Sequence, residues 1–496
     1  MEDLSQVNVL RVSTVKPAVP TESRRMFLSA FDLMWRGMKS VERLLFYKTS
    51  CNEFDVIVER LKSSLSSILV HFYPLAGRLA FGDENKRLEI DCNDEGILFF
   101  EASANLHFHD LEISEFEYRP VFRRLIPALR QYQEEELPLL SIQVTAFNGG
   151  SICIGTRLHH IVADGNSYWH FMKSWAECCR GAPISRYPEH KRDFFRLSNN
   201  IINPSNIAAE DSKCTFHESK QAQSKSCKTD GETQHLPSQM PDHKNESSET
   251  KLLDSNQIYK IDDVSRPLEK GNQPKDLIYK TFHCSKEMIQ KQKAQAEKNG
   301  NQVFSSFVAV AAHFWRCIVK ARQIPDEGPV GMLLLVDSRN RANPPLSPAY
   351  FGNCVQITFA NATARELLSQ TVSFACSLIK EAVNKCTEES LINMIKWEES
   401  NWQDKEREKP EKRPMRERCT VHVISSPRFP VYEVDYGWGR PVNVQAASMN
   451  EIGAMVLFPG RDGGGTMDIS TCLPQSQMDV FHSLFVGSIS SLQPDE

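Results

Sequence analysis

The segment best equipped for chemistry is His159-His160-Ile161-Val162-Ala163-Asp164-Gly165. The pKa of imidazole lies close to physiological pH, so its neutral form can remove a proton from an attacking alcohol. A thioester carbonyl asks for little more, because thiolate is a good leaving group without covalent help from the protein. One positioned base and one donor for the developing oxyanion suffice. Asp164, four residues after His160, could fix the loop or orient an imidazole. The spacing alone equally fits a structural histidine beside a strand. It does not fit a metal site, because no third ligand of suitable type is close in sequence.

The second distinctive segment is SSPRFPVYEVDYGWGRP, Ser425 to Pro441, which contains Asp435, Tyr436, Gly437, Trp438 and Gly439. It is too rigid and aromatic for a solvated loop, and it lacks the glycine order of a phosphate-cradling turn. Taken alone it reads as a structural turn.

The elements around His160 follow from periodicity. The apolar run Ile152 to Leu158 predicts a strand that ends at the two histidines. A helix is expected to start near Asn166 or Ser167, both good caps, with Tyr168, Phe171, Met172, Trp175 and Cys179 on its apolar face. Strand-to-helix edges of this kind commonly hold functional residues over a cleft. A second helix is expected to bury Ile57, Leu61, Leu65, Ile68, Leu69 and Phe72 and to stop at Tyr73-Pro74. Strands are expected at Leu88–Ile90, Ile97–Phe100, Leu139–Phe147, Val330–Val336, Val421–Ile424, Ala454–Phe458 and Met467–Ser470, and helices at Phe304–Ala321 and Glu366–Lys385.

Composition narrows the class. With 58 basic and 63 acidic residues the formal net charge is −5, which offers no general attraction to nucleic acid or to an anionic membrane. The start MEDLSQVNVLRVSTVKP has no apolar core behind a basic end, and later apolar runs are strand-sized. No secretory signal or membrane span is expected, and the 14 cysteines, without CxxC pairs, read as reduced thiols of a cytoplasmic protein. Residues 199–275 lose apolar periodicity and read as a polar, disordered crossover or insert. Cys214, His217, Cys227, His235 and His243 in it match no regular zinc spacing. The division expected is 1–198, 199–275 and 276–496, with mixed helices and strands on both sides of the insert.

Together HHIVADG and DYGWG resemble the paired HxxxDG and DFGWG signatures of the BAHD acyltransferases, the plant acyl-CoA-dependent family. YPLAGRL (Tyr73 to Leu79), SSFVAVAAHFWR (Ser305 to Arg316), VDSRNRANPPLSPAYFGNCV (Val336 to Val355) and VLFPGRDGGG (Val456 to Gly465) are similar to family landmarks in the same order. The segments SSPRF and WHFMKSWAECCRG look closest to the cuticle-associated, defective-in-cuticular-ridges-like members. YFGNC also occurs in malonyltransferases of the family.

The resemblance implies an α/β fold of two chloramphenicol-acetyltransferase-like domains joined by a crossover, with a channel between them. Acyl-CoA would be a co-substrate rather than a bound cofactor, and the acceptor a small hydroxyl compound or, less favoured, an amine. No metal, nucleic acid or membrane partner is implied, and a monomer is expected. The general base carries over to His160 and a supporting role to His159, Asp164 and Gly165. Asp435, Gly437, Trp438 and Gly439 would hold the channel wall, with Asp435 paired to Arg339 or Arg341. Tyr436 replaces the family's Phe and adds a hydroxyl that needs a partner if buried. The Trp that donates to the oxyanion in many hydroxycinnamoyl-transferring members aligns with Ser426, whose hydroxyl is the candidate substitute. The same cavity could also serve a lyase acting on an acyl conjugate, or a noncatalytic ligand-binding member of the fold.

Overall fold

The computed structural model describes residues 7–37, 40–49, 54–82, 87–108, 120–129, 138–192, 195, 276–298, 302–405, 420–447 and 452–490. The insert 199–275, with its cysteines and histidines, lies outside the described residues.

Two six-stranded sheets carry the fold. The first runs Val7–Val15, Ile97–His107, Leu140–Asn148, Ile152–Leu158, Val41–Tyr47 and Asn443–Ala446 in spatial order. The second runs Val355–Thr363, Pro329–Asp337, Val421–Ser425, Ala454–Pro459, Met467–Pro474 and Leu277–Cys284. A three-stranded sheet of Arg24–Phe27, Leu88–Cys92 and Arg78–Phe81 sits beside the first.

The first core packs the helices Phe54–Leu69 and Gly165–Cys179 on the sheet through Ile57, Leu61, Leu65, Ile68, Phe171, Met172 and Trp175. Phe351, Val434, Tyr436, Val456 and Phe458, from the C-terminal half, join the same core. A second core lies under the helix Ser306–Ala321, around Phe314, Trp315, Phe481 and Phe485.

Most expected elements form within a residue or two of their expected bounds, and Ile152–Leu158 forms as read. The expected helix Glu366–Lys385 is instead two, Ala364–Ser369 and Val372–Asn384. Gln370 and Thr371 are extended, and the Arg316 guanidinium donates to the carbonyls of Leu367, Leu368 and Gln370. That cap satisfies the carbonyls the first helix leaves open, so the chain can break there at little cost.

One strand crosses the expected division at 276. Asn443–Ala446 belongs by sequence to the C-terminal portion, yet it pairs antiparallel with Val41–Tyr47 at the edge of the first sheet, from Asn443 opposite Phe46 to Ala446 opposite Arg43. The described residues of both portions accordingly fall in one compact unit. The strand has no hydrophobic periodicity long enough to announce itself. Among the described residues no helix is long and apolar enough to cross a membrane, and no group of three or more His, Cys, Asp or Glu side chains is placed to hold a metal ion.

The strand that leads to His160 is packed without slack. A Cβ on Gly155 would lie 1.8 Å from the Leu125 carbonyl oxygen, which is backbone and cannot rotate away. Gly155→Ala is expected to cost about 2–3 kcal/mol of stability by overpacking. Urea denaturation checks this, and an unchanged midpoint would show that the two backbones separate freely.

Candidate active site

The strand Ile152–Leu158 ends where the backbone of His159 donates to the Leu139 carbonyl at 2.8 Å. The chain turns through Val162 N–H to the His159 carbonyl at 3.1 Å and enters the helix at Gly165. The helix cap is Asp164 rather than Asn166 or Ser167: its carboxylate accepts from the Ser167 amide at 3.0 Å. An anionic cap satisfies an open amide and favours the positive end of the helix. A Cβ at Gly165 would lie 2.4 Å from the tip of the Phe429 ring, so a larger residue there would have to displace that ring.

Asp164 does more than cap. Arg339 grips it as a fork, Nη1 to Oδ2 at 2.8 Å and Nη2 to Oδ1 at 3.0 Å, and the Cys354 amide donates to Oδ2 at 2.9 Å. Both partners are buried, at 1% and 7% side-chain exposure. Burial alone would raise the Asp164 pKa, but the charge and hydrogen bonds of Arg339 and the amides of Ser167 and Cys354 hold it below the usual carboxylate range. The Arg339 guanidinium is raised; burial opposes this, and Asp164 outweighs it.

The segment Tyr350 to Cys354 clamps the rest of the loop from the other half. Ser167 Oγ donates to the Gly352 carbonyl at 2.9 Å and accepts from the Gly352 amide at 3.0 Å. The Asn353 side-chain nitrogen lies 3.0 and 3.1 Å from the carbonyls of His160 and Ile161. It also lies 2.9 Å from Asp32, whose other oxygen takes Arg192 at 2.9 Å in a second buried ion pair. Arg192 in turn donates to the Val162 carbonyl at 2.8 Å.

His160 is left at the end of this held loop. Its ring lies flat on Trp35, with centroids 3.7 Å apart and planes 8° apart. Nδ1 is buried without a hydrogen-bond partner among the described residues. Desolvation pushes the imidazole down to about 4, against the opposing pull of its own backbone and of Asp164, so it is neutral at physiological pH. His159 is buried and turned inward, its Nδ1 accepting from the Ile161 amide at 3.3 Å.

The expected pairing of Asp435 with Arg339 or Arg341 is not made. Arg339 is consumed by Asp164, and Arg341 donates to the Cys386 carbonyl. Asp435 instead folds its own loop, accepting from the amides of Gly437 at 2.7 Å and Gly439 at 2.9 Å. Both glycines have positive φ, +107° and +105°, which excludes other residues without strain. Tyr436 is fully buried against Tyr47, Trp175 and Trp438, and its hydroxyl finds no hydrogen-bond partner among the described residues. The segment grips the helix Gly165–Cys179 through Tyr436 on Trp175 and through Glu433 with Lys173 at 2.7 Å. It therefore acts on His160 through that helix. Ser426 lies in the turn that brings Phe429 to Gly165, and its Oγ accepts from the Arg428 amide at 3.2 Å.

Trp35, Asp32, Arg192 and Asn353 are missing from the sequence reading. Asp32 had a visible signal: Ser29-Ala30-Phe31-Asp32 is a capping box, formed here with both bonds. The others show no spacing that marks them. Breaking a buried pair leaves an uncompensated charge, so Arg339→Met is expected to cost about 3–5 kcal/mol at pH 7. Because the native Asp164 pKa is depressed, the wild-type advantage is present above the ordinary carboxylate range and is lost as pH falls through the native value. Denaturant unfolding of both proteins between pH 7 and pH 3 checks the magnitude and the narrowing gap.

Comparison with known proteins bears on this geometry. A family model described as "Transferase family" matches residues 5–486. The chain is 29% identical to BAHD acyltransferase DCR of Arabidopsis thaliana, over 96% of this chain and 90% of that one. It is also 29% identical to a hydroxycinnamoyltransferase of Narcissus pseudonarcissus, over 96% and 99% of the two chains. Among solved structures, vinorine synthase superposes at a TM-score of 0.62 with 21% identity, covering 97% of this chain and 98% of that one. TRI101 of F. sporotrichioides, complexed with coenzyme A and T-2, superposes at 0.65 with 14% identity, covering 92% and 96%. The two-sheet α/β architecture is thus shared with solved members of this fold, and the chain belongs to the Transferase family, the BAHD acyltransferases.

Proposed function

We propose that this acyltransferase moves an acyl group from a coenzyme A thioester to the hydroxyl of a small acceptor, with an amine as the less favoured acceptor. His160 is the general base, in a ternary complex without a covalent enzyme intermediate. The observation that carries the reading is the state of His160 at the end of the held loop: neutral, stacked flat on Trp35, with Nδ1 buried and unpartnered among the described residues. A neutral imidazole held in one orientation can take the acceptor's proton as its oxygen attacks the thioester carbonyl. The imidazolium then returns that proton to the departing thiolate. The hydroxycinnamoyl relative and the coenzyme A complex of TRI101 support an acyl-CoA donor.

Asp164 takes no part in the proton transfer, because both carboxylate oxygens are occupied by Arg339 and backbone amides. It sets the direction of the loop. For the oxyanion we assign Ser426, whose Oγ accepts from Arg428 and keeps its own proton to donate. The indole Nε1 of Trp35, buried without a partner, is the second donor at the site. We also propose a cytoplasmic monomer, the compartment in keeping with 14 cysteines without CxxC pairs.

The test is acceptor-dependent thiol release from a panel of acyl-CoAs, aromatic and aliphatic, with His160→Ala alongside. Turnover is expected to fall by roughly 10²- to 10⁴-fold in the variant. A variant that keeps wild-type turnover would remove His160 from the chemistry. The pH dependence gives an independent check. Since the free-enzyme pKa of His160 is about 4, kcat/KM is expected to hold level from pH 8 down to about pH 5 and to break near 4. A break near 6.5 would mean that the base is a solvated histidine.

A further inference from the structure

Arg43 stands where the two halves meet, without a charge partner among the described residues. It lies on the strand Val41–Tyr47, whose alternate residues Leu44 and Phe46 face one core while Leu45 and Tyr47 face the helices. Arg43 shares the helix-facing side with Leu45 and Tyr47. Opposite it in register is Thr156, whose hydroxyl meets that of Tyr168, on the first turn of the helix that Asp164 caps, at 2.7 Å. From the other half the Phe458 ring covers the guanidinium, its centroid 5.6 Å from the central carbon. Arg43 therefore lies beside the start of the helix that Asp164 caps, near enough to His160 that its charge is one of the influences lowering the imidazole pKa.

Arg157, Arg192 and Arg339 each close on a carboxylate: Glu42, Asp32 and Asp164. Arg43 does not. Its Nη1 donates to the backbone carbonyl of Glu42 at 2.9 Å, and its Nε is buried with no hydrogen-bond partner. No carboxylate lies within ion-pair distance of it among the described residues. The Glu42 side chain is taken by Arg157, at 3.1 Å from Nε and 2.8 Å from Nη2. Desolvation pulls the guanidinium down from its ordinary value, opposed by Tyr168 and Glu42. An unpaired, partly desolvated guanidinium at a substrate site is a cost that an anionic group would offset.

We propose that Arg43 is a specificity residue that binds a carboxylate of the substrate held at His160, so that the enzyme prefers a carboxylate-bearing donor or acceptor and disfavours a cationic one. The proposal rests on the acyl-transfer reading for its location. Its chemistry is the fork-shaped recognition of a carboxylate by planar N–H donors. The carboxylate can come from the acyl chain or from the acceptor, and the two sources separate experimentally.

The full chain would be assayed with matched pairs. Malonyl-CoA against butyryl-CoA tests the donor; quinate and 4-hydroxyphenyllactate against their methyl esters test the acceptor; agmatine serves as a cationic acceptor. In one of the two arms the acid is expected to exceed its neutral counterpart by roughly 10- to 100-fold in kcat/KM, the span of a charge-assisted hydrogen-bonded pair. Arg43→Gln should collapse that ratio by at least about tenfold, chiefly through KM of the acid, with Arg43→Lys recovering part of it. A merely structural arginine would lower both members alike, and an equal loss overturns the proposal. So does a wild type that prefers the neutral members or the cation, a result that stands even if Arg43→Gln does not fold. Calorimetric titration of the same acids and esters needs no turnover. Arg43-dependent acid binding without CoA release would keep the subsite while removing the acyl-transfer reading; absence of acid binding with normal CoA release would do the reverse.

Discussion

A carboxylate buried to 1% exposure at a helix start would destabilise the fold unless a cation met it, and the cation that meets Asp164 comes from 175 residues further along the chain. Taking both ions out of water costs several kcal/mol apiece, and their attraction offsets that only when every lone pair and N–H is used. Here they are. Asp164 accepts from Arg339 twice and from the amides of Ser167 and Cys354, while Arg339 also reaches Asp337, Ser167 and the Gly352 carbonyl. The pair thus ties a strand-to-helix turn of one half to a loop of the other in a fixed geometry. His160 lies four residues before Asp164 on the tied loop, and its position follows from that pair.

The arrangement separates two demands that the proposed base would have to meet. It must be held rigidly, and it must be unprotonated. Rigidity is supplied by polar contacts made to the loop backbone, by Asn353 to the carbonyls of His160 and Ile161 and by Arg192 to that of Val162. These contacts hold the loop backbone, and Asn353 also acts on the imidazole, raising its pKa against the stronger effect of burial. The protonation state is set by the apolar face of Trp35 and by burial, which outweigh the favourable charge of Asp164. A carboxylate bonded directly to the ring would raise its pKa and turn it toward the charged form. Spending Asp164 on Arg339 keeps the ring neutral.

The local parts of this site were legible in the residues. The strand Ile152–Leu158, the apolar face of the helix after it and the pairing of HHIVADG with DYGWG all depend on short-range periodicity or on contiguous motifs. The fold class followed from the alternation of elements, and the family from the ordered resemblance. What escaped was set by contacts between distant segments. Asp435 and Arg339 resemble a pair because both are charged residues in recognised motifs, yet a glycine on either side of Trp438 lets Asp435 close on its own amides. Nothing in the order of residues in YFGNC marks it as a clamp, yet the Cys354 amide and Asn353 hold the loop of His160. Trp35 follows a four-residue helix too short to show periodicity. The strand Asn443–Ala446 is likewise four residues, and only its pairing with Val41–Tyr47 assigns it to the first sheet.

That returning strand changes how the two halves should be regarded. If each half were a self-contained domain, the loop of His160 could form in the N-terminal half alone and the other half would add only a wall. The contacts exclude this. The edge of the first sheet, the partner of Asp164, the clamp on the His160 carbonyl and the phenyl ring against Gly165 all come from beyond residue 276. In return, Ser167 satisfies the amide and carbonyl of Gly352, which would otherwise be left open inside the molecule. Each half thus leaves buried polar groups that only the other completes, and unpaired groups of that kind cost about 1–3 kcal/mol each. The geometry of His160 is therefore a property of the joined molecule. Arg43, with no carboxylate partner among the described residues, lies under Phe458 of the other half, so the two proposed roles, proton transfer and substrate selection, would both depend on contacts between the halves.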